Sequence, residues 1–402
     1  MSNLFTVLAL SLLLGLQPLT TDLYLPALPF ITDFFDGSMG QAQLTLSALL
    51  LAFGASQLIW GPISDRFGRR PVLLFGLTLY TLAAIGSTFS FSMESLIAWR
   101  VLQGAAMGAS IMCARALVRD LFDDPVAGAR LMSQGLTGLG VLACISTPIG
   151  GLLTDLFGWR MALMFLALAG VALLVLLAWR LEETLKAPSL DALKPAYLVQ
   201  TWRSILGNRV FWGFALLQAG TYAGLFVFLV SSSFVFIRLL GVSPTVYGLL
   251  MFSMSIAFIL GTMLCRRLLR HYSVPRTVAV GGTLSLLGGS LLAVLSLLGV
   301  QSLLAIMLPV YLFIMAHGIN QPCSQSGVMG PFPRAAGAAS AWSSFIMVLV
   351  TFVIGHWLGQ FMGDSVYPMT LGMWFCGIFI ALVAWVLVPF AARSGVRHHS
   401  TG

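Results

Sequence analysis

The sequence predicts an all-α membrane protein with twelve transmembrane helices in two six-helix bundles, and three observations carry that prediction. Of 402 residues, 58% are hydrophobic and only 8% are charged, against roughly a quarter charged in an ordinary soluble domain. So few charges do not cover the surface of a water-soluble protein of this size. Apolar stretches of about 20 residues, the length that crosses a bilayer, recur along the whole chain. The basic residues gather in alternate loops between those stretches.

The apolar cores lie near 4–28, 42–60, 71–90, 95–115, 130–153 and 160–180, and again near 210–237, 246–265, 277–298, 302–325, 338–359 and 367–390. The run from Leu4 to Leu16 resembles a signal-peptide core, but Met1, Ser2 and Asn3 bring no Lys or Arg and no small-x-small cleavage site follows. It is read as the start of the first span. The longest polar interval, Leu181 to Arg209, holds Glu182, Glu183, Lys186, Pro188, Asp191, Lys194 and Pro195. It divides the chain into an N-terminal bundle at 1–180, a linker at 181–209, a C-terminal bundle at 210–391 and a tail at 392–402.

With both termini on the cytoplasmic side, all but Arg100, Arg160 and Arg238 of the 21 basic residues fall in inner loops or at inner helix ends. The positive-inside rule therefore favours that orientation and an even number of spans. A shift of 200 residues superposes Gly61 on Gly261, Arg66 on Arg266 and Arg70 on Arg270, a faint internal repeat of the kind seen in transporters.

The net charge of +8 does not point to nucleic acid. Such binding needs basic clusters on one face interleaved with aromatic or polar residues, and here the basic residues sit in short loops. The five cysteines (Cys113, Cys144, Cys265, Cys323 and Cys376) lie in or beside apolar runs, without zinc-site spacing or disulfide-scaffold density. No metal or cofactor is expected.

The strongest local signal is Gly61-Pro62-Ile63-Ser64-Asp65-Arg66-Phe67-Gly68-Arg69-Arg70-Pro71, placed in the loop between the second and third spans. Gly61 permits close helix approach, Gly68 a tight reversal, and Pro71 suits the first turn of a new helix. A positive-inside turn with one balancing acid is the plain reading. The segment also closely resembles the signature loop of the major facilitator superfamily, Gly-x-x-x-Asp-Arg-x-Gly-Arg-Arg. That resemblance implies a gating role for Gly61, Asp65, Arg66, Gly68, Arg69 and Arg70, and the major facilitator fold around a midplane cavity.

Further segments are similar to the drug:proton antiporters of that superfamily, and to their bicyclomycin and chloramphenicol resistance (Bcr/CflA) branch. They are Ala98-Trp99-Arg100-Val101-Leu102-Gln103-Gly104, Asp22-Leu23-Tyr24-Leu25-Pro26-Ala27-Leu28-Pro29, Glu183-Thr184-Leu185 and Pro331-Phe332-Pro333-Arg334-Ala335-Ala336-Gly337. In the fifth span Thr147 stands where that family usually has Gly, while Pro148, Gly150 and Gly151 preserve a bend and close packing.

Ionisable groups inside a bilayer are expensive and usually face a cavity or a partner. Asp22 and Arg100 lie well inside spans, the latter about 9 Å below Glu94 along its helix. Two readings remain open: an ion pair that locks the first span to the fourth, or proton coupling through Asp22 and Arg100. Tyr24, Gln57, Gln218, Tyr222, His317, Asn320 and Gln321 are candidates for substrate binding, His317, Asn320 and Gln321 sharing one helical face. Interhelical hydrogen bonding is the alternative for each. Trp60, Phe226, Phe252, Trp342 and Phe345 are candidate aromatic walls.

The expected function is a proton-coupled secondary transporter that exports small amphipathic drugs or toxic compounds by alternating access. Its partners are a small-molecule substrate, protons and the lipid bilayer, and it is expected to be a monomer in a bacterial inner membrane. The alternative is a dedicated nucleoside or amino-acid transporter of the same fold. No Gly-x-x-x-x-Gly-Lys-Ser/Thr loop is present for ATP, and no catalytic constellation stands out within the spans.

Overall fold

A computed structural model describes residues 3–121, 125–185, 194–332, 335–361 and 365–390. Among the described residues the elements are helices: α1 (Asn3–Asp22), α2 (Leu28–Phe34), α3 (Met39–Phe67), α4 (Arg69–Thr88), α5 (Met93–Leu121), α6 (Pro125–Phe157) and α7 (Trp159–Arg180). They continue with α8 (Pro195–Leu206), α9 (Arg209–Ser233), α10 (Pro244–His271), α11 (Val274–Leu297), α12 (Leu303–Met329), α13 (Ala336–Phe361) and α14 (Tyr367–Leu382). Twelve spans are long and apolar enough to cross a membrane, one for each stretch read from the sequence.

Local chemistry sets the boundaries. Pro26 and Pro29 cannot donate backbone hydrogen bonds, so the first span breaks into α1, a short 3₁₀ turn at Leu25–Ala27, and α2. Ser38 and Gln41 close a capping box at the start of α3. Asn208 caps α9 and Ser302 caps α12. The last turns of the seventh and twelfth spans widen into π-helical stretches at Phe234–Leu239 and Val383–Leu387.

Two compact units emerge, residues 1–199 with 243–252, and residues 200–242 with 253–402. In the first unit α1 packs on α6, α3 on α5, and α4 on both α5 and α7. In the second, α9 packs on α13, α11 on both α12 and α14, and α9 also on α12 and α14. The pairings of first with fifth span, third with fourth and third with sixth thus recur as seventh with eleventh, ninth with tenth and ninth with twelfth. This is the repeat that the 200-residue shift detected only faintly.

Membrane helices lack a hydrophobic drive to associate in lipid, so their seams depend on small residues that let backbones touch. At Gly104 of α5 an added Cβ would overlap the Leu49 carbonyl oxygen of α3. In the second unit Gly261 of α10 lies against the Met315 carbonyl of α12, and Gly318 of α12 against the Phe258 carbonyl of α10.

One sequence expectation needs correction. The segment Gly61–Phe67, placed in a loop, is the last two turns of α3, and Gly68 alone separates α3 from α4. Gly68 has a φ of 103°, a region that side chains rarely enter, so the reversal needs no further residues. The polar interval read as a linker contains the twelve-residue helix α8. Residues 186–193, with Lys186, Pro188 and Asp191, lie outside the described residues, as do Pro333, Arg334 and the tail 391–402.

The seams give a direct prediction. Gly104→Leu should destabilise the protein by about 3 kcal/mol through overpacking. Gly140→Ala, where an added Cβ meets nothing within 4 Å, should be neutral or stabilising by up to about 1 kcal/mol. Thermal unfolding of both variants in the same detergent checks the order.

Candidate functional site

Two polar clusters stand out in the first unit. The first sits at the α3–α4 reversal. Arg69, the opening residue of α4, is only 2% exposed, and its guanidinium reaches back to three acceptors. Nη2 lies 2.6 Å from Asp65 Oδ1, Nε donates to Asp120 Oδ2 at 2.8 Å, and Nη1 donates to Ser64 Oγ at 2.7 Å. Ser64 and Asp65 come from the last turn of α3 and Asp120 from the last turn of α5. One cation thereby joins three helices. Arg66 and Gly61 take no part in this ion-pair group among the described residues.

The backbone of the same residue is held from far along the chain. Gly68 offers α4 no side-chain cap, and the first amides of a helix need acceptors. Glu183 supplies them: Oε1 accepts from Arg69 N at 2.9 Å and Oε2 from Arg70 N at 3.1 Å. Oε1 also accepts from Thr184 N at 3.0 Å and Leu185 N at 2.9 Å. In return Arg70 Nη2 donates to the Ala178 carbonyl in the last turn of α7 at 3.0 Å. The two antiparallel helices α4 and α7 cap one another with opposite charges, each favourable to the helix end it meets. Burial pushes the Glu183 carboxyl up, but the Leu185, Arg69, Arg70 and Thr184 amides outweigh it and hold it below its usual 4.5.

The second cluster surrounds Arg100, which has no exposed surface. Its guanidinium carbon stands 4.3 Å over the Tyr24 ring. Nη1 donates to Gln103 Oε1 at 2.8 Å and Nη2 to the Thr20 carbonyl at 3.1 Å. That carbonyl is among the last four of α1, which have no partner within their own helix. The cation thus meets the negative end of α1 directly. Around it, Tyr24 Oη and Thr45 Oγ1 are 2.9 Å apart, and Thr20 Oγ1 and Tyr80 Oη 2.7 Å apart.

Asp22 and Arg100, considered together in the sequence, form no ion pair among the described residues. Asp22, the last residue of α1, instead accepts from Thr21 Oγ1 at 2.7 Å. Arg100 takes an aromatic face and an orphan carbonyl as counter-charges, so it needs no carboxylate. Tyr24, a candidate for cargo, is fully enclosed here as the platform of Arg100. Gln57 of α3 is 1% exposed, with Nε2 3.5 Å from the Phe53 carbonyl.

In the second unit Gln218 of α9 accepts from Ser343 Oγ of α13, and its Nε2 lies 3.8 Å from Met347 Sδ. His317 of α12 packs beside the Phe258 ring at 5.6 Å between centroids, and its Nδ1 has no hydrogen-bond partner among the described residues. Tyr222 and Gln321 are half-buried. Asn320 is fully enclosed with its amide against Gly281 of α11. The shared face splits because Asn320 lies about 60° round the helix from His317, whereas Gln321 lies about 40° from it on the other side.

In α6, Pro148 lies inside the helix, Gly150 abuts the Leu23 carbonyl and Gly151 the Pro244 carbonyl. Of the aromatic candidates, Trp60 donates to the Ala105 carbonyl at 2.8 Å, while Trp342 rests edge-on to Trp202 and Phe345. Phe226 is enclosed and Phe252 is exposed.

Sequence reasoning missed Asp120 and left Glu183 without a role. The signal for Asp120 was the one that picked out Asp65: an acid close to arginines, here Arg115 and Arg119, at a helix end. Nothing local marked Glu183 as a cap, because the amides it holds are 113 and 114 residues away.

Comparison with known proteins gives a consistent result. The Major Facilitator Superfamily profile matches residues 10–355. Multidrug resistance protein D of Escherichia coli (strain K12) is 30% identical over 84% of this chain and 84% of its own length. A chloramphenicol resistance protein of Pseudomonas aeruginosa is 30% identical over 84% of this chain and 79% of its own. A crystal structure of a D-xylose-proton symporter shares the fold, with a TM-score of 0.76 at 16% identity over 97% of this chain and 99% of that one.

Two measurements probe these clusters. Tyr24→Leu removes the ring beneath a desolvated cation and should cost about 2 kcal/mol, whereas Tyr24→Phe keeps the ring and should cost about 1 kcal/mol for the lost hydroxyl contact. Thermal unfolding separates them. Because the Glu183 carboxyl titrates below its usual value, its contribution is complete above that value and is lost as pH falls through the depressed one. Hydrogen exchange at Arg69 and Arg70, corrected for intrinsic rate, should show protection that survives mild acid and fails only on the acid side of ordinary glutamate titration.

Proposed function

Because this chain belongs to the major facilitator superfamily, whose members are transporters rather than enzymes, we propose that it exports small amphipathic drugs or toxic compounds in exchange for protons by alternating access. The cargo class is supported by relatives named for multidrug and chloramphenicol resistance. It works as a monomer in a bacterial inner membrane with both termini in the cytoplasm, an orientation supported by the placement of its basic residues.

The observation that carries the mechanism is the Arg100 cluster. A fixed cation is held inside the first unit by Tyr24, Gln103 and the end of α1, and the acid that ends α1, Asp22, is left outside that arrangement. A carboxyl not committed to a salt bridge is able to take up and release a proton as its surroundings alternate between wet and dry. Asp22 is therefore the proton carrier and Arg100 the fixed charge that biases it. Gln57 in the first unit, and Gln218, Tyr222, His317 and Gln321 in the second, supply cargo contacts. Tyr24 and Asn320 join them only in a conformation that uncovers their side chains. The helix-five residues Pro148, Gly150 and Gly151 hold α6 close to its neighbours.

The reversal governs the exchange between states. Breaking the bridges from Arg69 to Asp65 or Asp120 leaves charges at helix ends that disfavour them, so the group biases the equilibrium in which it is intact. Gly61, Arg66, Gly68 and Arg70 shape the same segment.

Everted vesicles with an imposed pH gradient and a panel including chloramphenicol test the function. Accumulation that follows the gradient supports it. Uptake restricted to a nucleoside or an amino acid replaces it with a metabolite transporter.

Asp22→Asn should bind chloramphenicol within about twofold of wild type yet fail to accumulate it against its gradient. Its thermal stability should change by less than about 1 kcal/mol, since Arg100 does not depend on it. Gradient-driven accumulation at the wild-type rate in this variant transfers the proton role to His317, whose ordinary pKa of about 6.5 suits it.

A further inference from the structure

We propose that Glu183 is a positioning residue for transport: its carboxylate fixes the first amides of α4 and so sets the direction in which Arg69 reaches Asp65 and Asp120. The inference rests on the gating reading of that group. It assigns a role to Glu183-Thr184-Leu185, which the function left unexplained.

Arg69 is gripped twice. Its side chain joins α3 and α5, and its own N–H goes to Glu183 at 2.9 Å. With the amide held, the backbone of the opening residue of α4 cannot swing, and the guanidinium has one approach to its two acids. The adjacent amide of Arg70 is taken by the other carboxylate oxygen at 3.1 Å, so the grip has two points and resists rotation. Glu183 is itself immobilised, because Oε1 also accepts from Thr184 N and Leu185 N and so folds the chain tightly after α7.

The turn is shaped around the acid. A Cβ on Gly68 would stand 2.6 Å from Glu183 Oε2, so the glycine provides both the reversal and the room for the carboxylate. The charge also matters. An arginine as first residue of a helix faces the positive end of its macrodipole, and Glu183 supplies the compensating anion. Glutamine at this position keeps the three bonds to Oε1 and loses both the Arg70 contact and the charge.

The experiment uses the full-length protein in proteoliposomes, with chloramphenicol efflux driven by a pH gradient, at matched amounts of folded protein. Glu183→Ala should lower maximal turnover about tenfold, the cost of losing hydrogen bonds to a charged group, with the half-saturating concentration within about twofold. Glu183→Gln should fall between Glu183→Ala and wild type. Since Glu183 acts through Arg69, Glu183→Ala combined with Asp65→Asn should be no slower than the slower single variant, whereas a purely structural role gives multiplied losses.

Multiplied losses overturn the inference, as does wild-type turnover in Glu183→Ala while Asp65→Asn is slow. Wild-type turnover in Asp65→Asn sinks the gating reading instead. Hydrogen exchange tests the grip without any cargo. Faster exchange at the Arg70 amide of Glu183→Gln, and at both the Arg69 and Arg70 amides of Glu183→Ala, supports it, and unchanged exchange refutes it.

Discussion

The guanidinium of Arg69 is the constraint on which the first unit depends. Asp65 and Asp120 occupy the last turns of α3 and α5, where carboxylates face the negative ends of two helix dipoles. Arg69 opens α4, where a cation faces the positive end of a third. Each residue contradicts the helix that carries it, and the contradictions cancel only when the three meet, with Glu183 completing the balance at α4. Charges that are locally wrong and collectively satisfied are a device for holding one arrangement against another, because separating the helices restores every penalty at once. The exposure gradient fits this role. Asp65 is 40% exposed at its side chain and Asp120 11%, while Arg69 is 2%. The cation is the buried hub and the acids are its more accessible arms.

Arg100 solves a related problem without an acid. In an apolar interior a bare guanidinium is costly, and a buried ion pair often returns less than its desolvation takes. The chain instead surrounds the cation with dipoles: the Tyr24 ring, the Gln103 amide and a carbonyl that α1 leaves unbonded. This neutralises the field locally while leaving the carboxyl of Asp22 uncommitted. A direct bridge would have fixed both charges in one arrangement.

The sequence disclosed the fold because lipid imposes a length and a polarity that composition alone reveals. All twelve apolar stretches correspond to spans, and Gly68 was legible as the reversal because few other residues suit its backbone. The extent of α3 was not legible. Asp65 and Arg66 look like loop residues by polarity, yet they continue a helix that runs out of the apolar region before turning. Partnerships were harder still. Arg100 read as a buried cation in search of an acid, and Asp22 was the acid at hand, but backbone carbonyls and ring faces leave no trace in residue type. Asn320 shares a helical stripe with His317 on paper, and only the glycine at 281 shows that its amide packs against a neighbouring helix.

The mutual capping of α4 and α7 has a consequence for how the chain is made. The amides at 69 and 70 are among the first polar groups of the third span to be synthesised, yet their acceptor lies 114 residues later. At translation rates of about 5–20 residues per second, the growing chain goes about 6–23 seconds before that acceptor exists. During this interval the early helices can insert and pack, but the start of α4 stays unsealed. The clasp closes only when α7 has been completed, so Glu183 marks the moment at which the first bundle becomes a finished object, ahead of any helix of the second.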